Sequence, residues 1–428
     1  MPALSGIFTK AYWTLATVGI VWAVFVGLLV HPTVQRHALY AHKISTNYWH
    51  NVTVPDEAGF AKGQVQPFWL DTSDGEKLFC WHVLPLDLFL ENESELIHAT
   101  TSGEVADGLD GTVGAKLLKR DPESRVVVNF HGNAGHIAQG YRPSTYRSIS
   151  AIPHTHLLTC DYRGFGLSSL TNAPHIPTEK GIITDSISLL SYIQTSLHHP
   201  ASRTVLLGQS LGTAVTAASA LYFSDPSSPF LPQDLIAPSP KVSKPEPYAG
   251  LILVAPFTDL PQLLETYKIA GILPILKPLR AYPRIANYLA TKIVDQWPTL
   301  PRLIELINAP ASASHLHIHI LHARNDADIH FTEAEAVYRP LESLMLGGEG
   351  VAATEERRSI HGGERVKRGA FAYKKVEDAR GERSVELEVV RFGGHNEIVG
   401  WTQVSLAVRR AFVKAENVRR GNVGLDVE

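Results

Sequence analysis

The chain has 428 residues, with 39 basic and 42 acidic side chains and a net charge of −3, a balance that leaves no basic field for nucleic acid. Its length allows two domains, yet strand-like and helical segments alternate from residue 65 onward, the pattern of a single α/β unit with additions. The two cysteines, Cys80 and Cys160, are too few for a disulfide framework and say little about redox compartment.

Residues 11–30 carry no charge; Thr14 and Thr17 are the only hydroxyl interruptions, and Tyr12 and Trp13 stand at the leading edge. As a helix this stretch spans about 30 Å, the thickness of a bilayer's hydrocarbon core. A cleaved signal peptide would have a shorter apolar run followed by a small-x-small site, and the sequence from His31 to Arg36 has none. The expectation is therefore an uncleaved single-pass anchor over 11–30, a juxtamembrane segment over 31–64 and a catalytic domain over 65–428. Orientation is nearly tied by charge, with Lys10 on one side and Arg36 and Lys43 on the other. Two sequons, at Asn51 and Asn92, are usable only if the domain is lumenal.

Next comes a predicted hairpin, Val65 to Leu70 and Glu76 to Val83, turning through Asp71 to Gly75. Glu91 to Lys116 is polar and without period, which predicts a loop excursion. Arg125 to Phe130 reads as a buried strand leading into His131-Gly132-Asn133-Ala134-Gly135. Ile182 to Leu197 has helical period. Arg203 to Leu207 is a strand, Gly208-Gln209-Ser210-Leu211-Gly212 a sharp turn and Thr213 to Ala218 a helix. Asp225 to Pro247 reads as a proline-rich spacer before the strand Gly250 to Val254.

From Phe257 to Leu306 the pattern predicts a lid (257–306). It has no acid between Glu265 and Asp295, while Lys268, Lys277, Arg280, Arg284 and Lys292 occur among Ile269, Ile272, Leu273, Ile275, Leu276, Leu279 and Tyr282. A basic, apolar and proline-broken excursion suits anionic lipid headgroups; the alternative is a cap whose apolar face packs on the domain. His315 to Leu321 and Val385 to Phe392 are two further strands. Between them, 347–383 is rich in Gly, Glu and Arg and reads as an insertion.

The chemistry gathers at the ends of these strands. A serine hydroxyl needs an exposed, strained turn and a base within reach, and Ser210 between Gly208 and Gly212 has the turn. An acid and a histidine should then follow on later strands in that order. Asp326 is the candidate acid, with Asp328 as fallback. His395, after Gly393-Gly394, is the candidate base, singled out among twenty histidines by its place after a strand. In this scheme His395 accepts the Ser210 proton and Asp326 orients the imidazole. The amide of Asn133, or of Ala134 beside it, would join that of Leu211 as an oxyanion hole. His131 reads as a buried loop-shaping residue. No cofactor or metal is called for.

These motifs, together with Asp161-Tyr162-Arg163-Gly164-Phe165-Gly166-Leu167-Ser168, resemble the serine α/β-hydrolases. More narrowly, they resemble the membrane-anchored abhydrolase-domain-containing protein twelve group and its fungal relatives, over roughly residues 65–415. The resemblance implies an α/β-hydrolase fold: a mostly parallel sheet with helices on both faces and a helical lid. It also implies ester hydrolysis of lysophospholipids such as lysophosphatidylserine, or of monoacylglycerols, by a domain in the lumen of the endoplasmic reticulum. Position by position it gives Ser210, Asp326 and His395 their roles and leaves Asp161 to Ser168 as a structural loop. A protein S-acyl thioesterase would use the same triad. A metal hydrolase built on His315, His317 and His319 with His322, Asp326, Asp328 and His330 explains one segment where the serine route explains four. A non-catalytic membrane scaffold would normally have lost a triad member.

Overall fold

The computed structural model describes residues 2–45, 49–238, 245–268, 276–347 and 370–421. Ten strands form one sheet: β1 (Val65–Asp71), β2 (Lys77–Val83), β3 (Ala106–Asp107), β4 (Arg125–Phe130), β5 (Thr155–Cys160), β6 (Thr204–Gln209), β7 (Gly250–Val254), β8 (Leu316–Ala323), β9 (Ala372–Glu377) and β10 (Arg383–Val390). Their spatial order is β3-β1-β2-β5-β4-β6-β7-β8-β10-β9. The run β5-β4-β6-β7-β8-β10 is parallel, and β2 and β9 join its two sides antiparallel. Every residue of β5, β6, β7 and β8 is buried, as a parallel sheet covered on both faces requires.

Among the described residues thirteen α-helices accompany the sheet. Two precede it, α1 (Pro2–Leu28) and α2 (Pro32–Tyr40). Between its strands run α3 (Leu86–Glu91), α4 (Glu93–Ala99), α5 (Val113–Arg120), α6 (Arg142–Ser150), α7 (Glu179–Thr195) and α8 (Leu211–Ser224). Then follow α9 (Leu260–Thr266), α10 (Pro283–Ala290), α11 (Thr299–Asn308), α12 (Thr332–Met345) and α13 (Thr402–Arg419). Side chains mark several starts: Thr112 accepts the Ala115 amide, Thr178 that of Gly181 and Asp259 that of Gln262. One core lies under α7, α8, α11 and α12; the other lies under α6 and α13.

Four sequence expectations are revised. Glu91 to Lys116 holds α4, β3 and the start of α5, because Leu96, Ala115 and Leu118 bury a face that single-residue polarity conceals. Within the expected insertion 347–383, residues 348–369 lie outside the described residues, but β9 is an edge strand whose Tyr373 and Val376 are buried against β10. The cysteines do pair: Cys80 and Cys160 face each other across β2 and β5 and are disulfide-bonded. Finally, the juxtamembrane stretch is part of the domain, since Tyr40 is fully buried in its core. Within α1, Gly6–Leu28 is long and apolar enough to cross a bilayer.

Candidate active site

The parallel strands deliver their loops to one edge of the sheet, where open α/β sheets bind ligands. Ser210 stands between β6 and α8 with φ +51°, a conformation that side chains rarely adopt. Its flanking glycines are required by space. A Cβ on Gly208 would come within 2.3 Å of the Gly212 carbonyl oxygen, and one on Gly212 within 1.9 Å of that of Phe130. The strand and helix therefore cross at a distance that only glycine permits, and the serine is pushed to the apex.

Asp326 follows β8 and His395 follows β10. The imidazole Nδ1 lies 2.7 Å from Asp326 Oδ2. The other carboxylate oxygen accepts the amides of Asp328 and Ile329, each at 2.9 Å. Asp328, the fallback acid, thus donates its backbone to Asp326, and Asp326 is the carboxylate bonded to the ring. Burial would raise the Asp326 pKa, but hydrogen bonds from His322 and His395 outweigh it and hold the carboxyl well below its usual range. Burial likewise disfavours the His395 cation, and the Asp326 partner overcomes it, so the imidazole pKa is raised. Ser210 and His395 line one cavity of about 930 Å³. Among the described residues no hydrogen bond joins the hydroxyl to the imidazole.

The loop after β4 decides between the two oxyanion candidates. The Ala134 amide donates to the Tyr40 carbonyl at 3.3 Å, so it is engaged. The amides of Asn133 and Leu211 have no hydrogen-bond acceptor among the described residues, and both residues line the cavity. One residue that the sequence did not flag sets this orientation. The Arg142 guanidinium donates to the carbonyls of Gly132, Asn133 and Ala134 at 2.9, 3.0 and 2.9 Å, and to that of His136 at 2.6 Å. With the carbonyls turned to Arg142, the amide edge of the loop is left for the cavity. His131 is buried and packs against Tyr162 with ring centroids 4.3 Å apart, as a loop-shaping residue would.

Other supports were equally hidden. Gln209 donates from Nε2 to the His395 carbonyl at 2.9 Å, and Asn325 Oδ1 accepts the Gly394 amide at 3.0 Å, so neighbours of the serine and of the acid both hold the histidine loop. α2 grips the same region. The Asn133 side-chain amide donates to the Leu39 carbonyl, and the Gly135 amide to that of Ile44 at 2.8 Å. On its other flank α2 binds the cap: Arg36 forms a two-point ion pair with Asp295 at 2.9 and 3.1 Å, and the Tyr40 hydroxyl donates to Asp295 at 2.9 Å. The Asp161 loop is structural, its Arg163 held between Asp74 and Asp185.

The proposed metal set disperses. His315 meets the Ala249 carbonyl, His317 the Ser384 hydroxyl, and His319 lies between Glu386 and Glu388, all buried beneath α13 and away from the cavity. Among the described residues, Asp326, Asp328 and His395 are the group with donor atoms close enough for one ion, and His395 Nδ1 there is already bonded to Asp326.

Strand order and strand-end loops together define an α/β-hydrolase fold. An α/β-hydrolase from Vibrio vulnificus superposes with a TM-score of 0.51 at 14% identity, covering 89% of this chain and 92% of that one. The particular likeness in sequence is to the ABHD12 group. Lysophosphatidylserine lipase ABHD12 of Danio rerio is 25% identical over 224 residues, 52% of this chain and 51% of that protein. Human protein ABHD12B is 29% identical over 217 residues, covering 50% and 46%. Protein bem46 of Schizosaccharomyces pombe is 33% identical over 106 residues, covering 24% and 32%. The chain thus spans about half the length of the first two relatives, and no protein-family model matches it.

Proposed function

We propose that the protein is a membrane-anchored serine hydrolase that cleaves carboxylic esters of single-chain acyl lipids, a lysophospholipid or a monoacylglycerol, through an acyl-enzyme. The observation that carries this reading is the strained Ser210 opening into the cavity shared with the His395–Asp326 pair. Ser210 Oγ attacks the ester carbonyl as His395 accepts its proton, and the Asn133 and Leu211 amides stabilise the oxyanion. The imidazolium, held by Asp326, returns the proton to the departing alcohol. Water then repeats the sequence on the acyl-enzyme. No metal or organic cofactor enters these steps. The cavity suits such a substrate, with apolar lining from Phe257, Leu260 and Leu263 beside Ser210 and His395.

In this reading the domain lies on the lumenal side of the endoplasmic reticulum, with α1 as its anchor. Two features support that side: the Cys80–Cys160 disulfide, which persists in oxidising compartments, and the exposed Asn51 of the first sequon. The test is labelling with a fluorophosphonate, followed by hydrolysis of lysophosphatidylserine and monoacylglycerol by the wild type and by Ser210→Ala. Labelling that needs Ser210 and survives chelation supports the reading; chelator-sensitive hydrolysis without labelling overturns it. Glycosidase-insensitive migration together with cytosolic protease sensitivity would overturn the lumenal placement.

A further inference from the structure

The end of α1 is built into the cavity. Phe25, Val26, Leu29 and Val30 line the same space as Ser210 and His395. Their spacing puts them on one helical face, so the wall extends roughly 8 Å along the helix axis. Burial follows that face. Val26 is 7% exposed, whereas Val24 on the opposite side is 57% exposed. A helix that only crossed lipid would have no reason for this asymmetry beside a catalytic cavity.

The wall is also fixed in place. The chain turns from α1 into α2 within three residues, closed by bonds from the Leu29, Val30 and His31 amides to the carbonyls of Phe25, Gly27 and Leu28. α2 is then held to the oxyanion loop and, through Arg36, to Asp295 in the cap. Ala286, Leu289, Ala290 and Ile293 of the cap line the same cavity. Together with the end of α1 they give it an apolar slot beside a helix long and apolar enough to cross a bilayer.

We propose that the last turn of α1 and the turn that follows it are an acyl-chain subsite, with Val26 and Leu29 as specificity-determining residues, and that the substrate's chain enters along α1 from the membrane. The proposal rests on the hydrolase reading and adds the path and length limit of the acyl group. With the ester carbonyl at Ser210, the chain runs toward Phe25, so filling the slot shortens the chain that is accepted while the reacting end is untouched.

The test uses the full chain in detergent micelles and p-nitrophenyl esters from acetate to palmitate, comparing wild type with V26W, L29W, V26A and V24W. V26W and L29W should lower the palmitate-to-acetate ratio of kcat/KM at least tenfold, and V26A should raise it. V24W, on the lipid-facing side, should leave the ratio within twofold of wild type. As a second measurement, V26W should lose labelling by a long-chain alkyl fluorophosphonate at least tenfold relative to a short-chain one, which reads the slot even if turnover is poor. Equal losses on every chain length in V26W and L29W, or a V24W effect as large as theirs, would overturn the subsite. A wild type that cleaves none of the esters would instead overturn the hydrolase reading beneath it.

Discussion

At the scale of single residues, the site separates groups that react from groups that hold them. Ser210→Ala, His395→Ala and Asp326→Asn should each lower kcat by a factor on the order of 10⁴, because the three act as a unit. Asp328→Asn should stay within a few-fold of wild type, since its amide, and not its carboxylate, meets Asp326; the reverse ranking would move the acid to Asp328. The pH profile follows from the same pair. His395 must be neutral to accept a proton, and Asp326 raises its pKa above the ordinary 6.5, so kcat/KM should fall as pH drops through a value above 6.5. Removing the carboxylate in Asp326→Asn should shift that limb to lower pH in the residual activity. Arg142 is a positioning residue. Arg142→Met deletes the donors for four loop carbonyls and should cost about 3 kcal/mol of barrier, seen as a loss in kcat with KM on a short ester nearly unchanged.

At the scale of elements, α2 is a brace between the oxyanion loop and the cap. Arg36→Ala leaves Asp295 buried without its cation and should cost about 2 kcal/mol, less than a fully buried pair because Arg36 keeps one-fifth of its side chain in solvent. A sharper test is where truncation becomes harmful. Removing residues 1–30 spares α2 and should leave hydrolysis of a soluble acetate ester, whereas removing 1–45 also deletes the Leu39, Tyr40 and Ile44 carbonyls that hold residues 133–135 and should abolish it. Equal activity of the two truncations would show that the brace is dispensable. What was legible in the sequence is what local pattern encodes: the β6–Ser210–α8 turn, the strands before Asp326 and His395, and an apolar helix near the N-terminus, which runs over Pro2–Leu28 where 11–30 was expected. What was not legible depends on distant partners. Leu39 and Tyr40 act through backbone carbonyls, which any side chain could carry, and Arg142 reaches a loop that its own helix gives no hint of. β9 is read as a strand only when β10 lies beside it. Cys80 and Cys160 are 80 residues apart and meet through sheet order alone.

At the scale of the whole molecule, anchor, cap and cavity share one face. The cap helix α10 buries none of its residues; Tyr282 at its start is 58% exposed, and Ile285 and Tyr288 are 50% and 58% exposed. Lys277 and Arg284 are exposed on the same excursion, and the Lys292 ammonium sits 5.1 Å above the Tyr288 ring. Ile269, Ile272, Leu273 and Ile275, and the side chain of Arg280, lie outside the described residues. Exposed aromatics with cations beside a helix long and apolar enough to cross a bilayer match a surface that rests on lipid headgroups, where each cation contributes on the order of 1 kcal/mol, weakened as salt rises. Replacing Lys277, Arg280 and Arg284 together with glutamine should therefore raise the apparent KM on anionic vesicles by about a hundredfold at low salt, and far less on neutral ones. Turnover of a soluble ester should barely change, because Ser210, Asp326 and His395 lie on strand-end loops outside the cap. Added salt should reproduce the defect in the wild type and leave the triple variant nearly unaffected, since the attraction that salt screens is the one the variant lacks. Equal losses on anionic, neutral and soluble substrates would place these residues in support of the fold or the cavity, and the headgroup argument would fall.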